Sequence, residues 1–409
     1  MDKRVVIMRV ILVGGLSILM SAALIPAAPG TVVPGLEVLA GEEPSLITGK
    51  RVGLITNHSG IDRRAVHAID LIAKVPGARL TALFAPEHGI RGMVEAGGKV
   101  ADTVDERSGV PVYSIYGAVQ RPTSEMLKDV DVLLFDIQDV GVRFYTFIST
   151  MGEGMEAAAA KGIPFVVLDR PAVLGGIRVE GPVLDMRFRS FVGAYAIPIR
   201  FGMTLGELAG FCNDRMAKRV DLRVVKMKNW KRSLWYDQTG LPWVPPSPNI
   251  PTLGSAVVYP GTCLIEGTNV SEGRGTTLPF ELIGAPWVEG IRLAEEMRKA
   301  ALPGVIFRPA GFTPTFSKYQ GLACQGVQII VTDRERFEPV RTGVHLIWAI
   351  KSLWPAGFEW RTGSIDRLSG SDQLRLAIDR GDTPETIVGS WSASLREFDM
   401  VRRKYLLYQ

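Results

Sequence analysis

Glu87 and His88 stand side by side just after an apolar run, Leu80-Thr81-Ala82-Leu83-Phe84-Ala85, from which Pro86 separates them. A carboxyl group can protonate a leaving oxygen, and an imidazole beside it can orient it or carry its proton. Gly89 and Gly92 follow and loosen the backbone. A loop of this kind at the end of a buried strand is where α/β enzymes present catalytic groups. The plain alternative is a capping Glu and a satisfied His at an ordinary strand end. More polar groups follow other apolar runs: Asn57 and His58, Tyr116, Asp136 with Gln138 and Asp139, and Asp169 with Arg170. Glu266 and Glu272 lie in a glycine-rich stretch further on, with Trp and Tyr residues that could stack on sugar rings.

The elements that must position these groups alternate regularly. Apolar runs at 51–56, 80–85, 110–116, 130–135 and 163–168 read as strands buried on both faces. Helical patterns at 65–74, 124–128 and 150–161 separate some of them. Strand and helix in this alternation predict an α/β fold, Rossmann-like, with a doubly wound and mostly parallel sheet. Ligands of such sheets bind at the C-terminal strand edge. Beyond about residue 195 the pattern changes. A helix is expected over 204–216, with Thr204 as N-cap and Glu207 completing a capping box, then a strand at 220–227 and a proline-rich loop at 242–251. Residues 259–276 read as a long irregular loop, followed by helices at 290–301 and 337–353 and a helical tail. The expected organisation is a signal peptide at 1–28, a linker at 29–45, a Rossmann-like catalytic domain at 46–200, and a smaller α+β domain at 201–409 that closes a cleft.

Composition and motifs narrow the chemistry. The formal charge of +5 on 409 residues is too small and dispersed to predict a nucleic-acid partner. Lys3 and Arg4 precede an apolar segment at 10–25 and small residues, a secretory pattern that predicts a secreted or periplasmic protein, with an uncleaved anchor as the alternative. No later stretch is long enough to span a bilayer. Three cysteines, Cys212, Cys263 and Cys324, leave at least one unpaired within the monomer. No G-x-G-x-x-G follows the first strand, and no P-loop or G-x-S-x-G elbow occurs. Four histidines without zinc-ligand spacing make no metal motif, so neither cofactor nor metal is expected. A carboxylate site for Mg²⁺ or Ca²⁺ built from Asp136, Asp139 and Asp169 is the alternative. Carboxylate chemistry fits better, and glycosidases use a protonated carboxyl with, in most cases, a second carboxylate.

Several long motifs make the case specific: Phe84-Ala-Pro-Glu-His-Gly-Ile-Arg-Gly92, Phe135-Asp-Ile-Gln-Asp-Val-Gly-Val-Arg-Phe-Tyr145, Pro245-Pro-Ser-Pro-Asn-Ile-Pro-Thr252, Tyr259-Pro-Gly-Thr262, Glu266-Gly-Thr-Asn-Val-Ser-Glu-Gly-Arg-Gly-Thr276 and Phe316-Ser-Lys-Tyr319. In these the chain resembles the NamZ/YbbC family of exo-β-N-acetylmuramidases, bacterial cell-wall glycosidases. Two segments depart from the pattern: a His is missing around Arg200 to Met203, and Ala172-Val173 stands where Asn-Pro is expected. The resemblance implies a Rossmann-like domain, a smaller second domain and a cleft between them. It also implies release of terminal β-linked N-acetylmuramic acid from the non-reducing end of peptidoglycan fragments. Glu87 matches the family's catalytic glutamate and is the expected general acid, with His88 supporting it. Glu266, Glu272 or the substrate's own N-acetyl group could supply the second catalytic function. The expected substrate contacts are Asn57, His58, Arg91, Asp136, Gln138, Asp139, Arg143, Tyr145, Asn249, Asn269, Arg274 and Tyr319. Among them, Arg143 and Arg274 are candidates for the lactyl carboxylate of muramic acid. The rival readings are a non-catalytic saccharide-binding protein of the cell wall and a metal-dependent hydrolase. The oligomeric state and the stereochemical course are left open.

Overall fold

A computed structural model describes residues 30–95 and 97–409. The signal-peptide expectation for residues 1–28 lies outside the described residues. The five apolar runs do form strands: β1 (Arg51–Thr56), β2 (Arg79–Ala85), β4 (Pro111–Ser114), β5 (Val132–Asp136) and β6 (Phe165–Leu168). Two short strands join them, β3 (Thr103–Val104) and β7 (Leu222–Val225), in the order β3-β4-β2-β1-β5-β6-β7. Only β3 runs antiparallel to its neighbour.

Side chains alternate across a strand, so a strand apolar throughout must be covered on both faces. In β5, Leu133 and Phe135 join one core while Val132 and Leu134 join another on the opposite face. Helices α1 (Gly35–Gly41) and α2 (Ala68–Ile72) cover the second core. The first core lies under α3 (Phe147–Lys161) and α4 (Leu205–Asn213). The chain steps from β1 outward to β2 and β4, then returns past β1 to β5, which puts the topological switch at the C-terminal ends of β1 and β5.

Several expected boundaries are corrected. In the expected 29–45 linker, residues 30–45 pack on the fold: α1 lies on the sheet with Leu36, Val38 and Leu39 buried, and a Cβ on Gly35 would come within 2.5 Å of Asp169 N and Val225 O. The first domain does not stop at residue 200, because β7 pairs with β6 and α4 packs on them. Residues 124–128 make turns rather than a helix. The stretch 259–276 is partly helical, since α5 (Leu253–Thr262) runs into a 3-10 turn at Cys263–Gly267. The capping box forms as expected, with Thr204 Oγ1 accepting from Glu207 N at 3.2 Å and Glu207 Oε2 from Thr204 N at 3.0 Å.

After α5 the chain builds a small antiparallel sheet, β8-β10-β9, from β8 (Leu282–Ala285), β9 (Val305–Phe312) and β10 (Cys324–Val331). Helices α6 (Gly290–Lys299) and α7 (Pro339–Leu353) pack beside it, followed by α8 (Thr362–Ser369), α9 (Gln373–Arg380), α10 (Pro384–Ser390) and α11 (Ser392–Arg402). The last of these returns to the first domain, where Phe398 meets Phe211 and Arg402 donates to Gly176 O at 3.0 Å. No helix among the described residues is long and apolar enough to cross a membrane. All three cysteines are buried and free.

Candidate active site

β2 delivers Glu87. Pro86 ends the strand, and both His88 (φ 71°) and Gly89 (φ 74°) take the left-handed conformation that turns the loop. Glu87 is 8% exposed, and both carboxylate oxygens are engaged. Oε1 accepts from Gly97 N at 2.8 Å and from the Tyr116 hydroxyl at 2.9 Å, while Oε2 accepts from Thr146 Oγ1 at 2.6 Å. Tyr116 lies just past β4, and Thr146 stands at the start of α3 without capping it. Burial and the Glu87 charge push the Tyr116 hydroxyl well above its ordinary pKa, so it remains a donor. His88 points Nδ1 at Val94 O, 2.7 Å away, and a carbonyl can only accept, so this nitrogen carries the proton.

Glu87 and His88 line a cavity of about 670 Å³. The second half of the chain lines the same cavity with Glu266 on the 3-10 turn after α5, Glu272 and Arg274 in the glycine loop, and Lys318 after β9. Arg274 bridges the two carboxylates, with Nη2 at 2.7 Å from Glu266 and Nε at 3.4 Å from Glu272. Lys318 Nζ lies 2.9 Å from Glu272 and also donates to Val270 O at 2.8 Å. Burial opposes the charge of Arg274, but Glu266 and Glu272 outweigh it and raise the guanidinium above its usual range. Lys318 goes the other way, lowered by burial that Glu272 offsets only in part. The loop can lace this tightly because Gly275 (φ 80°) leaves no room for a side chain: a Cβ there would lie 2.5 Å from Phe316 O. Tyr145 and Asn249 reach the cavity, and Phe144, Phe147, Tyr259 and the half-exposed Phe316 give it apolar surface.

Comparison with known proteins places the chain in a family. Residues 52–254 match the family described as exo-beta-N-acetylmuramidase NamZ, N-terminal, and residues 257–408 match its C-terminal counterpart. The chain belongs to the NamZ family. It is 52% identical over 375 residues to the peptidoglycan beta-N-acetylmuramidase NamZ of Bacillus subtilis (strain 168), covering 91% of both chains. Two crystal structures of DUF1343 family proteins from Bacteroides fragilis NCTC 9343 share the fold. One has a TM-score of 0.88 at 39% identity, over 93% of this chain and 100% of its own. The other has a TM-score of 0.74 at 30% identity, over 92% of this chain and 99% of its own. The chain is therefore a glycoside hydrolase, and the two family regions meet between residues 254 and 257.

Within this NamZ fold, seven of the expected site residues line the cavity: Glu87, His88, Tyr145, Asn249, Glu266, Glu272 and Arg274. The others do not. Asp136 is fully buried in a bidentate ion pair with Arg170, at 2.6 and 2.9 Å. Asp139 accepts from Gly141 N at 2.6 Å, and burial pushes its carboxyl up to about 7. Gln138 donates to the carbonyls of Asp139 and Pro171. Arg143 is 1% exposed and donates to Pro182 O, Ile197 O and Leu368 O at 2.6 to 2.9 Å, so its guanidinium is spent on backbone. Asn57 turns its Oδ1 back to Ser59, and Arg91 pairs with Asp105. His58 braces the site from behind: Nε2 donates to Pro245 O at 2.7 Å, and its ring packs so close to Gly92 that a Cβ there would lie 2.4 Å away. Asn269 holds the Gly357–Glu359 backbone, and Tyr319 accepts from Trp287 Nε1 at 3.1 Å. The Mg²⁺ or Ca²⁺ alternative loses its ligands in the same way, because Asp169 is bound by Thr204, Gly206 and the Tyr408 hydroxyl. Among the described residues no three His, Cys, Asp or Glu side chains converge as a metal site.

Sequence reasoning missed Thr146, Ser247, Lys318, Arg361 and Arg367 as cavity residues, and noted Tyr116 only as a strand-end group. Thr146 directly follows a quoted motif, Ser247 lies inside the proline-rich one, and Lys318 sits in Phe316-Ser-Lys-Tyr319. Arg361 and Arg367 lie in the helical tail, where nothing in the local pattern distinguishes them from solvated surface arginines.

Proposed function

We propose that this chain removes terminal β-linked N-acetylmuramic acid from the non-reducing end of peptidoglycan fragments, as part of cell-wall turnover or recycling. The observation that carries the reading is the placement of Glu87, held by three donors in a cavity that Glu266, Glu272 and Arg274 also line. Fixing both oxygens of a catalytic carboxyl restricts it to one orientation before substrate arrives, which lowers the entropy cost of reaching the transition state. In this reading Glu87 passes a proton to the glycosidic oxygen as the bond to the anomeric carbon breaks, and the departing sugar leaves as a neutral alcohol. Of the two carboxylates that the second half of the chain brings to the cavity, Glu266 has 29% of its side chain exposed and Glu272 only 3%, so Glu266 is the one able to reach substrate or water. It either takes the proton of the attacking water or orients the substrate's acetamido group for the same displacement. Glu272, between Arg274 and Lys318, keeps that part of the cavity in place. The basic-then-apolar N-terminal pattern supports export to the compartment that holds peptidoglycan.

Purified Glu87→Gln tests the reading with a chromogenic N-acetylmuramic acid glycoside. Turnover falls by roughly 10²–10⁴-fold, the usual worth of a general acid, while the melting transition stays in place. Full activity in that variant would overturn the assignment. Disaccharide muropeptides, incubated with and without chelator, separate the rivals: binding without product marks a saccharide-binding protein, and loss on chelation marks a metal enzyme. Muramic acid appearing as the first product from longer glycan chains establishes exo action, whereas internal fragments refute it.

A further inference from the structure

Both arginines expected to meet a substrate carboxylate are committed elsewhere, Arg274 to Glu266 and Glu272 and Arg143 to backbone carbonyls. Two other guanidinium groups line the same cavity, Arg361 at the N-terminal end of α8 and Arg367 inside it, with Ser364 between them. Arg361 is the residue that precedes the first helical turn and Ser364 and Arg367 follow at three-residue steps, and all three reach the cavity. Both arginines are exposed, and among the described residues neither side chain has an ion-pair or hydrogen-bond partner. That sets them apart from buried arginines such as Arg170 and Arg232, which are each paired with a carboxylate. An unneutralised pair of cations at the mouth of a binding cavity attracts an anion, and guanidinium groups match a carboxylate in two-point geometry.

The pair is also fixed relative to the catalytic wall. Arg361 N donates to Gly267 O at 2.9 Å, and Gly267 packs against α8 so closely that a Cβ would lie 2.6 Å from Ile365 Cα. Gly267 immediately follows Glu266. Arg367 is aimed back along the helix over Gly363, where a Cβ would stand 3.7 Å from its Nη1. Arg361 is near enough to Lys318 that its charge adds to the lowering of that amine, after burial.

We infer that Arg361 and Arg367 bind the lactyl carboxylate of the terminal muramic acid, and that this contact makes the site select muramic acid over N-acetylglucosamine. The inference rests on the muramidase reading above. Both residues are specificity determinants and take no part in proton transfer.

The test compares the wild-type chain with the double variant Arg361→Met, Arg367→Met on two chromogenic glycosides, one of N-acetylmuramic acid and one of its lactyl methyl ester. The expected result is a loss of ~10–100-fold in kcat/KM on the free acid, carried by KM, since charged hydrogen bonds of this kind have that worth. On the ester the two proteins differ by less than about threefold, and the wild type itself prefers acid to ester by a factor similar to the loss. Exposed charges are screened by salt, so the wild-type KM on the acid rises with ionic strength while that of the variant stays flat. Equal losses on acid and ester, or none on either, overturn the inference. Wild-type inactivity on both glycosides refutes the muramidase reading instead. Calorimetric binding of free N-acetylmuramic acid and N-acetylglucosamine to Glu87→Gln, with and without the arginine changes, still decides the matter in that event. A preference for muramic acid that disappears with the arginines supports it, and one that persists, or the lack of any preference, refutes it.

Discussion

Thr146 Oγ1 lies 2.6 Å from Glu87 Oε2, although 59 residues of chain separate them. The hydroxyl brings no cap to α3, so its contact is with the carboxylate. Thr146→Val keeps the shape and removes the donor. We expect kcat to fall ~10-fold or more with KM within about threefold, while stability changes by less than about 1 kcal/mol. Steady-state kinetics and a thermal melt on the same preparation check both. A shifted melt with unchanged kcat would mean that the contact only holds the fold.

Arg143 offers the opposite pattern. Its three carbonyl partners lie 39, 54 and 225 residues away, and the last, Leu368, belongs to α8. Arg143→Met leaves buried acceptors without a donor, and we expect a loss of about 2–5 kcal/mol in urea unfolding. A substrate-binding arginine would instead raise KM and leave stability unchanged.

Asp139 gives a pH dependence whose sign is fixed. Burial raises its carboxyl to about 7, against the N–H groups of Gly141 and Val142, whereas in the unfolded chain it titrates near ~4. Between these values the native state keeps a proton that the unfolded state has released. The stabilisation is complete below about pH 4 and is lost as pH rises through ~7. Asp139→Asn can still accept from Gly141 N but never ionises. Comparing variant with wild type cancels the other titrating groups, and the variant should gain roughly 2–3 kcal/mol relative to wild type between pH 5 and pH 8. A stability difference that does not change with pH would refute a titrating Asp139.

Gly261 and Gly343 mark the crossing of α5 and α7. A Cβ on Gly261 would sit 1.8 Å from Pro339 O, and one on Gly343 would sit 2.3 Å from Gly261 O. Because the obstacle is backbone, Gly261→Ala must push the helices apart, at a cost of about 2 kcal/mol or more. α5 also leads Tyr259 and Glu266 into the cavity. Chemical unfolding should therefore show the destabilisation, and activity should fall with it at temperatures where the variant remains folded.

Much of the first domain was legible because its signals are local. β1, β2, β5 and β6 are short apolar runs bounded by polar or breaking residues, and the Thr204–Glu207 capping box spans four positions. Glu87 and His88 announced themselves by following such a run through a proline. The linker and the boundary at residue 200 failed for a related reason. α1 and β7 are short and weakly patterned, and what fixes them is contact with the sheet, as where Gly35 abuts Asp169 and Val225.

The sequence alone determined the strands, their C-terminal polar groups and, through long motifs, the family. It could not determine which polar groups face the cavity. Asp136 and Glu87 look alike at the ends of buried strands, yet Asp136 is neutralised by Arg170 inside the fold while Glu87 meets only uncharged donors at a cavity wall. Arg143 and Arg361 look alike as charged side chains, yet one is buried among carbonyls from three segments and the other is left unpaired beside Glu266's turn. The physical reason is that a charge acts on a substrate only if the fold leaves it uncompensated, and the compensating groups arrive from tens to hundreds of residues away.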